Sequence, residues 1–242
     1  MRAAVITDIH GNAHALEAVL ADVDDSAPDA IWCLGDLVGY GPRPNDCVRI
    51  VRERADVCLV GNHDLGVLGR IDLEDFTPDA AEAARWTAET LDPELRAFLE
   101  SLQSTADLDR AELFHASARD PVWEYVLSEE AAWASLQATT AGVVLVGHSH
   151  VPLALMLGDG GVSGGIAPRG ASVELAAGRW LLNPGSVGQP RDGDRDAAWL
   201  LVDFGAERAE WRRVAYDVAA TQREIREAGL PESLAARLAA GV

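Results

Sequence analysis

The chain opens on a short apolar run, Met1–Thr7 (MRAAVIT), which ends in polar residues and reads as a buried strand feeding a loop. Asn12–Ala21 then carries Leu16, Val19 and Leu20 near a helical period. Ala30–Leu34 and Asp56–Val60 repeat the strand pattern, the first closing on Gly35-Asp36 and the second on Gly61-Asn62-His63-Asp64. Between them Pro44–Arg54 predicts a helix with proline near its start. This alternation predicts an α/β protein whose strands are at least partly parallel.

Asp79–Leu102 is rich in alanine and glutamate and predicts two helices divided near Pro93. Glu112–Phe114 predicts a strand ending at His115, Ser128–Gln137 a helix, and Val143–Val146 a strand ending at Gly147-His148-Ser149-His150. The style then changes. Pro152–Leu157, Ser172–Leu175, Trp180–Leu182, Ala198–Val202 and Ala209–Val214 are short strands separated by turn residues, and they predict a mainly antiparallel second sheet. Gly158–Gly165 (GDGGVSGG) has no helix after it, so a hairpin tip is a better reading than a phosphate cradle. Asp217–Ala240 predicts two short amphipathic helices around Gly229-Leu230-Pro231, with Leu230, Leu234 and Leu238 on one face. No linker or repeat interrupts the pattern, so the expectation is a single domain over 1–242 with a helical tail over 217–242.

Composition narrows the function. The chain has 242 residues, 48% of them hydrophobic, enough for a sizeable core. No apolar run approaches the length of a membrane span, and no leader pattern is read at the N-terminus. Cys33, Cys47 and Cys58 are odd in number and lack zinc spacing, which predicts free thiols and a cytoplasmic location. Net charge is −19, and all 20 basic residues are arginine. Without lysine there is no P-loop, and the acidic balance opposes non-specific binding to nucleic acid or anionic membrane.

The chemistry-bearing residues gather where strands end. Asp8 and His10, Asp36, Asn62 to Asp64, His115, and His148 and His150 each follow an apolar strand. Ligand sites in open α/β sheets collect at such carboxyl ends. A lone histidine after a strand is more often a hydrogen-bonded loop residue, and a lone Gly-Asp is usually a turn. Five clusters of hard and borderline ligands at equivalent positions favour one shared crevice. A two-metal site, with ions roughly 3.5–4 Å apart, needs a bridging carboxylate, and imidazole and amide ligands suit manganese, iron, zinc or nickel. Two divalent ions against the carboxylates of Asp8 and Asp36 leave a local charge of about +2, which lets an acidic chain attract an anion.

This ordered motif set resembles the calcineurin-like metallophosphoesterases over essentially the whole chain. It is most similar to their small bacterial branch of phosphodiesterases and diadenosine-tetraphosphatase-like enzymes, which Gly35–Pro42 (GDLVGYGP) and Asn183–Gly193 (NPGSVGQPRDG) also resemble. The resemblance implies a two-sheet α/β/β/α sandwich with flanking helices and a C-terminal helical tail. It implies that Asp8, His10 and His150 hold one ion, that Asn62, His115 and His148 hold the other, and that Asp36 bridges them. His63 is then the group that binds the phosphate or protonates the leaving oxygen, with Asp64 orienting its ring. The implied nucleophile is a metal-activated hydroxide, and manganese is the ion expected first, with iron, zinc, nickel or magnesium as alternatives.

Three departures from the branch, Ala116, Ala118 and Arg195-Asp196, touch no implied ligand. Tyr40 and Arg191 are candidate substrate contacts, although Arg191 could equally pair with Asp192 or Asp194, and Asn12 is expected to cap the first helix. The expected activity is that of a phosphodiesterase on a small phosphate ester. A dinucleoside polyphosphate hydrolase, a phosphomonoesterase or protein phosphatase, and a non-catalytic metal-binding scaffold are the alternatives. Oligomeric state is left open.

Overall fold

In a computed structural model describing residues 1–242, apolar strands stack as two six-stranded sheets with helices outside them. The strands are β1 (Arg2–Ile6), β2 (Ala30–Cys33), β3 (Val57–Cys58), β4 (Thr105–Leu108), β5 (Ala111–Phe114) and β6 (Val143–Leu145), then β7 (Leu153–Gly158), β8 (Gly161–Ile166), β9 (Ser172–Glu174), β10 (Arg179–Asn183), β11 (Ala197–Asp203) and β12 (Arg208–Val214). The helices are α1 (Ala13–Ser26), α2 (Pro44–Arg54), α3 (Asn62–Val67), α4 (Pro78–Thr90), α5 (Pro93–Ser101), α6 (Glu129–Gln137), α7 (Val218–Glu227) and α8 (Glu232–Leu238). No helix is long and apolar enough to cross a membrane.

The first sheet has the order β3-β2-β1-β11-β12-β9 and the second β4-β5-β6-β10-β7-β8. The change of style along the chain therefore does not divide the sheets. β11 pairs antiparallel with β1, Val5 opposite Leu200, and brings β12 and β9 into the first sheet. In the second sheet β5, β6 and β10 are parallel, and β4 and β7 are antiparallel neighbours. Both sheets are mixed, which corrects the expected antiparallel second sheet. Apolar runs report burial and leave the pairing partner unspecified. Most of the glycine-rich stretch is strand β8, and the hairpin turn itself is only Asp159-Gly160.

Period-two alternation explains the layers. Ala3 and Val5 of β1, Leu200 and Val202 of β11, Leu113 of β5, Leu145 of β6 and Leu182 of β10 meet between the sheets. The alternate residues Ala4, Ile6, Trp199 and Leu201 face outwards and pack with Leu16, Val19 and Val51 of α1 and α2. Val144, Leu181, Leu153 and Leu155 face Ala132 and Leu136 of α6. The result is the α/β/β/α sandwich. The parallel strands β1, β2 and β3 of the first sheet and β5 and β6 of the second deliver their following loops to one end of the layers, as the distances below show.

Leu200 is fully buried between the sheets. Leu200→Ala is expected to lower unfolding free energy by about 2–5 kcal/mol, the range for a core truncation that leaves a cavity. Exposed Leu127 supplies the comparison, and Leu127→Ala should stay within about 0.5 kcal/mol of the parent. Urea titration followed by tryptophan fluorescence measures both, and equal effects would remove Leu200 from the inter-sheet core.

Candidate metal centre

The loops that leave these strands are tightly folded. Eight residues other than glycine have positive φ, and six of them are Asp8, His10, Asp36, Tyr40, His148 and His150, at φ from 51° to 63°. An L-residue in that region costs about 1–3 kcal/mol and persists only where its surroundings hold it. Backbone hydrogen bonds supply the hold: the amides of Ile9 and His10 both donate to the Asp36 carbonyl, at 2.8 and 3.0 Å, and the Gly188 amide donates to the Asp8 carbonyl at 2.9 Å. Gly61 is required by close approach, because a Cβ there would land on Asp36 Oδ1. The three loops after β1, β2 and β3 thus fix one another's side chains.

Four imidazoles converge, each with one nitrogen tied to a backbone carbonyl. His10 Nδ1 lies 3.1 Å from the Val38 carbonyl, His115 Nδ1 2.9 Å from that of Leu34, and His150 Nδ1 2.6 Å from that of Gln189. His148 uses Nε2 instead, 3.2 Å from the Trp123 carbonyl. A carbonyl can only accept, so the proton sits on the tied nitrogen and the other nitrogen presents a bare lone pair. His10 Nε2 and His150 Nε2 face each other at 3.0 Å. Burial holds both rings well below the usual histidine pKa, and it lowers His115 to about 4 and His148 to about 3. Neutral rings so arranged are metal ligands in waiting.

The carboxylates complete two sets. Asp8, His10, Asp36 and His150 bring ligand atoms within 4.8 Å of one another, and so do Asp36, His115 and His148. Asp36 belongs to both. Its Oδ1 accepts from the His63 amide at 2.9 Å, whereas its buried Oδ2 has no hydrogen-bond partner and lies 3.6 Å from His10 Nε2 and 3.5 Å from His115 Nε2. Asp8 accepts the His148 amide through both oxygens and lies 3.5 Å from His150 Nε2. The Asn62 amide oxygen faces His115 Nε2 at 3.1 Å, beside the second set. Burial raises the Asp8 carboxyl to about 7, and burial with Asp64 and Asp8 nearby pushes Asp36 well above its ordinary value. Divalent cations reverse that penalty, and the donor chemistry fits two of them sharing one carboxylate.

His63 lies against the ligand rings without joining either set. Its ring centroid is 4.8 Å from that of His10, 4.4 Å from Tyr40 and 5.0 Å from Phe76, and Nδ1 is buried without a partner. Gly39 has φ of 86°, and a Cβ on it would lie 2.7 Å from that Nδ1. Asp64 does not orient the His63 ring, which corrects the implied pairing. Its oxygens instead accept from the amides of Val38 and Gly61, both at 3.0 Å, capping α3 and anchoring the loop after β2. One donor is local, three residues back in the chain, and the other comes from the loop after β2, so both carboxylate oxygens are taken by backbone amides.

Arg191 also departs from the surface ion pair left open by the sequence. Asp192 pairs with Arg213, and Asp194 pairs with Arg169 at 3.0 Å. Arg191 Nη2 turns inwards to Tyr40 Oη at 3.3 Å and Gln189 Oε1 at 3.2 Å. Asn12 caps α1 by accepting from the Ala15 amide at 3.2 Å, as expected. Sequence reasoning missed a set of aromatic side chains that adjoins the ligand rings. The Tyr125 ring stacks on His148 at 4.0 Å while remaining 47% exposed, and Trp123 packs edge-on to Phe76. These residues come from loops without periodicity, so no sequence signal marked them. The amphipathic tail reaches the site as well: Leu234 and Leu238 of α8 line a small cavity with His10, Tyr40 and Gln189.

Comparison with known proteins extends this geometry. The crystal structure of a metallophosphoesterase from Sphaerobacter thermophilus superposes with a TM-score of 0.92 at 42% identity, covering 100% of this chain and 99% of that one. An uncharacterized protein of Methanocaldococcus jannaschii is 36% identical over 244 residues, which span 98% of this chain and 97% of the relative. A shorter likeness, 37% identity over 97 residues, links 34% of this chain to 33% of the symmetrical bis(5'-nucleosyl)-tetraphosphatase of Yersinia enterocolitica. The family model of the calcineurin-like phosphoesterase superfamily domain matches residues 1–205. With that match, and with the full-length likeness behind it, the chain belongs to the calcineurin-like phosphoesterase superfamily.

Proposed function

We propose that this chain is a dinuclear metal-dependent phosphodiesterase acting on a small phosphate ester. Asp8, His10 and His150 would hold one ion and Asn62, His115 and His148 the other, with Asp36 common to both sets. The observation that carries the reading is Asp36 Oδ2, buried, without a hydrogen-bond partner and lying between two bare imidazole nitrogens. When bound, two divalent ions offset phosphate charge and make a water acidic enough to supply hydroxide near neutral pH. Manganese suits the mixed carboxylate, amide and imidazole set, as do iron, zinc and nickel.

The residues around the ligands supply positioning and a proton. The backbone carbonyls of Val38, Leu34, Trp123 and Gln189 fix ring orientation, so donor geometry is set before any ligand arrives. Arg191 and Tyr40 lie beside His10 and bind the phosphate oxygens. His63 donates its proton to the departing oxygen. Burial and then Arg191 hold the free ring well below the usual histidine pKa, and a phosphate anion beside it favours the charged form needed for donation.

A dinucleoside polyphosphate is the second reading of the substrate, favoured by the short likeness to the Yersinia tetraphosphatase. A cytoplasmic location agrees with three unpaired thiols, of which Cys33 and Cys47 are buried.

Metal content gives the first test. Elemental analysis of protein purified without chelator and dialysed against manganese should find two ions per chain. Asp36→Asn should weaken binding by more than the roughly 10–100-fold typical of losing an outer-shell partner, because it alters a donor common to both ions. A wild type that binds no manganese, zinc or iron ends the dinuclear reading.

The second test separates enzyme from scaffold. His63→Asn should keep both ions and the fold while slowing turnover by roughly 10²–10⁴, the range for loss of a general acid. The slowing should be greater for alkyl esters than for p-nitrophenyl esters, whose leaving group departs unprotonated. Equal slowing on both esters would remove the proton-donor role. A wild type that holds two ions and hydrolyses no ester, diester or polyphosphate would be a scaffold.

A further inference from the structure

Two guanidinium groups meet beside the metal centre with no acid between them. Arg191 reaches Gln189 Oε1 at 3.2 Å, and Arg237 of α8 reaches the same oxygen at 3.4 Å through Nη1. Tyr40 Oη accepts from Arg191, and Arg191 Nε is buried without any partner. No nearby carboxylate pairs with either guanidinium: Asp192 pairs with Arg213 through Oδ2, its Oδ1 being buried without a partner, and Asp194 and Asp196 pair with Arg169. Asp79 attracts Arg237 weakly, ranking last among the influences on it, and accepts from Ser233 Oγ. In a chain of net charge −19, two arginines sharing one neutral amide oxygen are out of keeping with the rest of the surface.

The fold holds this pair in place. Ile225, Leu230, Leu234, Ala235 and Leu238 pack on Tyr40, Ala80 and Ala83, which clamps α7 and α8 against the loop after β2. Thr221 Oγ1 donates to Asn12 Oδ1 at 3.1 Å, and His14 Nε2 lies 3.0 Å from Glu224, so α7 is tied to α1 as well. The Arg237 guanidinium cannot simply swing away from Arg191 without losing Gln189. Burial, followed by the Arg191 charge, presses it towards its neutral form. A bound anion relieves both penalties, since charge-assisted hydrogen bonds to oxyanions are the strongest available to arginine.

We infer that Arg191 and Arg237 form an anion subsite next to the metal centre that takes a second phosphate group of the substrate. The inference rests on the phosphoesterase reading above and deepens it. Tyr40, the contact of Arg191, lies 4.7 Å from the His10 ring and 4.4 Å from the His63 ring, so the subsite adjoins the position of the scissile phosphate. Substrates with a pyrophosphate linkage or a neighbouring phosphate engage both arginines, and a simple diester engages Arg191 alone. Arg237 lies beyond residues 1–205, so it is supplied by the tail and not by the part of the chain matched to the family.

The experiment compares manganese-loaded wild type with Arg237→Gln, Arg237→Lys and Gln189→Glu on bis(p-nitrophenyl) phosphate and on diadenosine tetraphosphate. Arg237→Gln should lower kcat/KM for the polyphosphate about tenfold more than for the diester, chiefly through KM, and Arg237→Lys should recover part of the loss. Gln189→Glu places a carboxylate between the guanidiniums and should reproduce the loss without deleting either one. Calorimetric binding of ADP and AMP, which differ by one phosphate, gives a readout independent of turnover. Wild type should prefer ADP, and the preference should collapse in Arg237→Gln and Gln189→Glu. Equal losses on both substrates in Arg237→Gln, or an ADP preference that survives in both variants, overturns the subsite. A wild type that binds ADP through Arg237 yet hydrolyses neither substrate rejects the phosphoesterase reading and leaves the anion subsite standing.

Discussion

Two ring nitrogens facing each other at 3.0 Å, Nε2 of His10 and Nε2 of His150, set the central constraint of this molecule. Each ring has its proton committed to a backbone carbonyl on the other side, so the facing nitrogens are both lone pairs. Lone pairs at that distance repel, and burial, which holds both rings well below the usual histidine pKa, opposes relief of the repulsion by a proton. A cation bound by both turns the same geometry from unfavourable to favourable. The unpartnered Oδ2 of Asp36 poses the same problem with the opposite sign and accepts the same remedy. Imidazoles and carboxylate are therefore arranged for ions, at the expense of the metal-free chain.

Holding that arrangement requires a rigid frame. Five of the seven expected ligands, Asp8, His10, Asp36, His148 and His150, sit in left-handed backbone conformations, and the set is drawn from the ends of strands in both sheets, so no single loop could position them. β1 lies at the centre of the first sheet, between β2 and β11, and its extension through Asp8 and His10 is stitched to Asp36 and Gly188. In the second sheet, β5 and β6 bring His115, His148 and His150 to the same end. The inter-sheet core sets the spacing between these groups. Packing at Leu200, Leu145 and Leu182 thereby reaches the metal centre through geometry, without contacting it.

Much of this was legible in the sequence, and the reasons differ by element. Strand runs such as Val143–Leu145 are apolar because both faces are covered, and the polar clusters that follow them mark the crevice. The seven expected ligands come together because their motifs lie at parallel strand ends, where chain order and spatial order agree. Sheet membership was not legible: β11 is as apolar as β6 yet pairs with β1 in the other sheet. Nor was the partner of Asp64, since a carboxylate beside a histidine in sequence can be claimed by backbone amides that only the folded loop presents. Tyr125 and Trp123 lie outside any periodic or motif context, and Arg237, although on an amphipathic helix legible in the sequence, is brought to Gln189 only by the fold.

Charge distribution links the fold to the anion it attracts. Exposed acids spread over the surface repel phosphate weakly, because water and salt screen them within about 10 Å. At the crevice the balance is reversed by groups withdrawn from that screening: two ion positions, Arg191, and Arg237 carried in on the last helix. The exposed arginines are mostly engaged with acids, as Arg226 is with Glu232 and Arg96 with Glu100, and such pairs contribute little field at a distance. Arg191 and Arg237 have no acid partner and lie next to Tyr40, part-buried, where the field is less diluted by solvent than at the exposed unpaired arginines such as Arg70 and Arg110. Because α8 brings part of that charge, the tail takes part in selecting the anion as well as covering the core.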